Sequence, residues 1–66
     1  MKPDKMIKTI KMICTRKYEI AIIEMHSGLY RVISEYGGEV HTSDPIHDFK
    51  TASFIFDTKV LEFEGH

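Results

Sequence analysis

Around Ser43-Asp44-Pro45 the apolar residues of this 66-residue chain change their spacing. Upstream, Tyr18 to Met25 is rich in isoleucine with glutamates between. Leu29 to Tyr36 (LYRVISEY) and Glu39 to Thr42 continue in the same strand-like manner. His26-Ser27-Gly28 and Gly37-Gly38 separate these runs. The glycine pair is a strong hairpin signal, because both central positions of a primed turn need positive φ. Downstream, Phe49, Ala52, Phe56, Val60 and Phe63 recur at steps of three and four, which is one stripe of a helix over 48–64. Asp48 suits the N-cap and Gly65 the C-cap, while an alternative start puts Asp44 at the cap and Pro45 in the first turn. Strands first and one helix last predict an α+β fold. It is an antiparallel β-meander of three or four strands with one C-terminal α-helix packed across one face.

Residues 1–17 are less clear. Met6, Ile7, Ile10, Ile13 and Cys14 fit one face of a helix, whereas Ile7, Thr9, Ile10, Met12 and Ile13 fit a strand rich in β-branched residues. The lysines at every third position through Lys11 match neither period. We read a strand from about Met6 to Cys14, so residues 1–66 form a single small domain: a basic segment (1–17), a meander (18–42) and a helix (48–64).

Strand register decides which residues share a face. A two- or four-residue loop at His26–Gly28 pairs Glu24 with Arg31 as opposite charges, and Ile23 with Val32. A three-residue loop would set Ile23 against Arg31, which is a poorer match. The first register puts Ala21, Ile23, Met25, Tyr30, Val32, Ser34, Tyr36 and His41 on one face, nearly uncharged and suited to the helix. The other face carries Tyr18, Ile20, Ile22, Leu29, Ile33 and Val40, together with Glu24, Arg31 and Glu35. One helix cannot cover both faces. The second face is expected to be covered by the N-terminal segment, by a second copy or by both, and its six apolar residues are the candidate oligomer interface. Small size points the same way: the single cysteine, Cys14, allows no internal disulfide, so stability must come from packing or from a second copy.

Charge is divided along the chain. Residues 1–17 carry a net +5 and residues 18–66 a net −6. This basic arm on an acidic body either docks on that body or contacts nucleic acid. In the second case Lys2, Lys5, Lys8, Lys11, Arg16, Lys17 and Arg31 are the candidate phosphate contacts. The tyrosines could offer stacking surfaces, although Tyr30 and Tyr36 are expected to lie under the helix.

No sequence motif for catalysis, phosphate-loop binding or dinucleotide binding is present. His41 and His47, with Asp44 and Asp48 nearby, match no ligand spacing and read as a polar, capped turn. Cys14 reads as a small apolar residue rather than a nucleophile, and Glu62 and Glu64 as a solvated helix surface. The longest apolar run, Ile20 to Ile23, is far too short to span a bilayer, and the basic start lacks a secretory core. With one cysteine, a cytoplasmic protein is expected. These readings give a non-catalytic interaction module with no cofactor, metal or membrane partner. It forms a homo-oligomer, foremost a dimer, and binds a protein partner. The alternative is a nucleic-acid-binding regulator that uses the basic arm.

Overall fold

The computed structural model describes residues 6–65. Four strands, β1 (Met6–Cys14), β2 (Tyr18–Met25), β3 (Tyr30–Tyr36) and β4 (Glu39–Thr42), form one antiparallel sheet in chain order. A single helix, α1 (Phe49–Glu64), packs on β2 and β3. The fold is the α+β meander that the change in apolar spacing requires. Gly37 and Gly38 both take positive φ, 63° and 85°, and close the β3–β4 hairpin in two residues.

The register of β2 against β3 differs from the expected one by a single residue. Met25 N–H donates to Leu29 O and Gly28 N–H to Met25 O, at 2.8 and 2.9 Å. The loop is therefore His26-Ser27-Gly28, with Gly28 at φ 87° in the left-handed position that ends a three-residue hairpin loop. Tyr18 then faces Tyr36, Ile20 faces Ser34, Ile22 faces Val32, and Ile23 does face Arg31. A one-residue slip moves every side chain of a strand to the opposite side. Tyr18, Ile20 and Ile22 accordingly lie under the helix, while Ala21, Ile23 and Met25 lie on the other face. The expected Glu24–Arg31 pair does not form. Glu24 pairs with Lys8 of β1 at 4.0 Å instead, and Arg31 donates to Ser43 O at 2.9 Å, fastening the segment after β4.

The core consists of Tyr18, Ile20, Ile22 and Val32 from the sheet, Ile46 from the connection, and Ala52, Phe56 and Phe63 from the helix. Ile46 is held by a two-way backbone bridge to Tyr30. At the far end of the helix the Phe63 ring stacks on Tyr36 at 4.8 Å and tilts against Tyr18 at 5.5 Å. The Tyr18 hydroxyl donates to Glu64, and this hydrogen bond raises its pKa above the ordinary tyrosine value. Ser34, opposite Ile20 on the helix side of β3, is the buried polar residue among the described ones.

The helix starts at Phe49, with Asp48 as the cap, rather than at Pro45. The Asp48 carboxylate accepts from Thr51 N–H at 2.9 Å and from the Thr51 hydroxyl at 2.8 Å. These bonds hold the carboxyl below its ordinary pKa. Because the folded pKa is depressed, this contribution is complete above the ordinary value of 3.8 and disappears as pH falls through the lower folded value. Asp48→Ala should lower Tm by about 4–8 °C at neutral pH, the usual effect of losing an N-cap in a domain of this size. Asp48→Asn should keep most of the cap but remove its share of the acid sensitivity. Thermal melts of the three proteins at pH 7 and pH 3 check both statements.

β1 is a strand with two register shifts, between Met6 and Lys8 and between Thr9 and Lys11. The second shift explains the lysine spacing. Lys8 faces Glu24 and Lys11 faces Ile22, two positions on the same side of β2. Three residues of strand can join them only if one is bulged out of the ladder.

Candidate functional site

With the helix on one side, no described element lies across the other face of the sheet. Its rows follow from the register. Cys14, Glu19, Glu35 and Val40 form the row nearest the β3–β4 turn. Met12, Ala21, Ile33 and Thr42 form the next. Thr9, Ile23 and Arg31 form the third, and Met25 lies beyond them. Met12 and Val40 are 54% and 62% exposed, and Ala21 and Ile33 are half-buried. Ile23 and Met25 are more closed in, at 7% each. The face therefore has an apolar centre, an acidic pair at one end and a single arginine on the other side of that centre.

Of the candidate interface residues, Leu29, Ile33 and Val40 are on or beside this face. Tyr18, Ile20 and Ile22 are 3%, 0% and 0% exposed and belong to the core, so they present no surface; the one-residue register difference is the cause. Met12 and Ala21 take their places, while Ile23 and Met25 are on the same side of the sheet but buried, and present little surface. The signal that would have found them is Gly28, third in its loop, where a three-residue hairpin needs positive φ.

The helix has an exposed ridge of its own. Phe54 is 70% exposed and Leu61 75%, seven residues apart and hence on the same side. Ile55, by contrast, packs against the core. A shallow groove beside the ridge is lined by Phe49, Lys50, Ser53, Phe54 and Asp57.

The candidate phosphate contacts are dispersed. Lys2 and Lys5 lie outside the described residues. Lys8 pairs with Glu24, and Lys11 reaches Asp57 at 3.6 Å with its ammonium 4.7 Å from the centre of the Phe56 ring. Arg31 is tied to Ser43 O. Arg16 and Lys17 are exposed in the β1–β2 turn, beside a depression of about 320 Å³ that also borders Cys14, Glu19 and Glu35. Tyr18, Tyr30 and Tyr36 are used in packing, with Tyr30 edge-on to Phe49 at 5.9 Å.

Cys14 is exposed at the end of β1, not buried as its apolar neighbours suggested. The alternation of the strand turns it to the open face, opposite Glu19. His41 turns to Glu39 at 3.6 Å and His47 is exposed in the connection. Among the described residues, no three His, Cys, Asp or Glu side chains are grouped to hold a metal ion. No helix there is long and apolar enough to cross a membrane. Comparison with known proteins returns no matching family model, curated protein or solved structure.

Proposed function

We propose that this chain is a small non-catalytic interaction module of the cytoplasm that pairs with a second copy through the open face of its sheet. The observation that carries this reading is that, among the described residues, one helix covers β2 and β3 on one side and no element covers the apolar centre of Met12, Ala21 and Ile33, flanked by Val40, on the other. Antiparallel sheets with one face in water normally show polar residues there, and an apolar patch marks an interface. The unpaired, exposed Cys14 suits a reducing compartment. The Phe54–Leu61 ridge, on the opposite side of the molecule, would remain free in such a pair. It has the form of a surface that enters a groove on a protein partner.

Replacing Ile33 with glutamate tests the pairing. Light scattering after size exclusion should give a dimer for the parent chain and a monomer for Ile33→Glu, with the circular dichroism spectrum unchanged. Equal masses for the two proteins would refute the reading.

A second reading, nucleic-acid binding through the basic arm, is favoured only by the exposed Arg16 and Lys17. Lys8 and Lys11 are engaged with the acidic body. Exposed pairs of this kind contribute about 0–1 kcal/mol each. Neutralising Lys2, Lys5, Lys8 and Lys11 together should thus lower Tm slightly, and added salt should do the same. Micromolar binding to random-sequence DNA or RNA at physiological salt, lost in that variant, would put the second reading in place of the first.

A further inference from the structure

Three charges on the open face fix how two copies would meet. Glu19 and Glu35 are direct cross-strand partners on β2 and β3, and neither has an ion pair among the described residues. Like charges in that position repel. Among the described residues in the rows of this face the cation is Arg31, while Arg16 and Lys17 border the acidic pair from the β1–β2 turn without an ion pair to it. Arg31 lies four residues before Glu35 on the same strand, so the two stand at equal distances on either side of Ile33. Arg31 spends one donor on Ser43 O, and its guanidinium carries five.

A two-fold pair of facing sheets can be built in two aligned ways. If the axis runs along the strands, β2 of one copy lies over β3 of the other with rows in step. Glu19 then meets the second copy's Glu35, and four carboxylates crowd together. If the axis runs across the strands at the level of Ile33, each strand lies over its own counterpart in reverse. Ile33 then meets Ile33, Ala21 meets Ala21, and Met12 meets Met12. Arg31 of each copy lands opposite Glu35 of the other, beside Glu19.

We infer that the dimer, on the reading proposed above, is the second of these: an isologous, face-to-face sheet pair centred on Ile33, in which Arg31 of each copy neutralises the Glu19–Glu35 pair of the other. Among the described residues neither the acidic pair nor the arginine has an ion pair within one copy, and they are complementary between two. Charge complementarity of this kind sets orientation and excludes the other register.

Charge exchange tests the arrangement. Arg31→Glu and Glu35→Arg should each weaken dimerisation about tenfold or more, because each creates two like-charge contacts. The double variant R31E/E35R restores opposite charges across the axis and should return close to the parent affinity. An equimolar mixture of the two single variants should form a heterodimer tighter than either homodimer. Glu35→Arg leaves the Arg31–Ser43 contact in place, so its effect is separable from any local disturbance, and circular dichroism verifies that each variant is folded. In the rejected arrangement Glu35→Arg would meet the second copy's Glu19 and strengthen the dimer. That result, or a double variant no better than the singles, overturns the inference while leaving self-association intact. A monomeric parent chain overturns both.

Discussion

Phe56→Ala is expected to unfold most of the protein. Phe56 is the centre of the helix stripe and is 3% exposed among Tyr18, Ile20, Ile22, Val32 and their neighbours. Its ring also carries the Lys11 ammonium on one side. Truncating a buried aromatic to alanine costs about 3–5 kcal/mol. A domain of this length has a total stability on the order of 3–10 kcal/mol. Among the described residues the helix packs on β2 and β3, and β1 adds the Lys11 side chain at Asp57 and Phe56, so the helix–sheet contact depends on this ring. Urea titration followed by far-ultraviolet circular dichroism should show a midpoint far below that of the parent, or no folded baseline at all. A variant that keeps its midpoint would mean that α1 presents a different face to the sheet.

The second large effect separates two isoleucines that are similar in sequence and opposite in position. Ile22 is fully buried under the helix against Val32, whereas Ile33 is on the open face beside Ala21. Ile22→Glu places an unpaired carboxylate in the core, at a cost of several kcal/mol even after its pKa rises. It should leave the chain unfolded at neutral pH. Ile33→Glu puts the same charge on a solvated surface and should leave thermal unfolding of the monomer nearly as cooperative as before. The pair of melts tests the register directly, because the register expected from the Glu24–Arg31 pairing puts both residues on the same face.

That difference shows what could be read from the residues and what could not. Elements and order follow from local signals: alternating isoleucines, the Gly37-Gly38 turn, the capped stripe from Phe49 to Phe63. Register depends on a balance between distant contacts. The Glu24–Arg31 pair argued for one register. Gly28 in its left-handed position, Lys8 as the partner of Glu24 and Ser43 O as the partner of Arg31 together outweigh a single exposed ion pair. Two of these three partners lie outside the hairpin, on β1 and beyond β4, where a strand-by-strand reading does not look. The bulge near Ile10 is a similar case. It disguised β1 by setting Lys8 and Lys11 three residues apart on one side, a spacing that a regular strand does not produce. The candidate surface was therefore half legible: Leu29, Ile33 and Val40 could be placed from β3 and β4, while the β2 residues went to the wrong side.

Sedimentation equilibrium of the unmodified chain over a hundredfold range of micromolar concentration tests the central claim most directly. Pairing through the open sheet face predicts a mass that rises with concentration toward twice 7.7 kDa and stops there, since a two-fold interface closes on itself. A mass that stays at 7.7 kDa across the range, with a cooperative thermal transition, would contradict it.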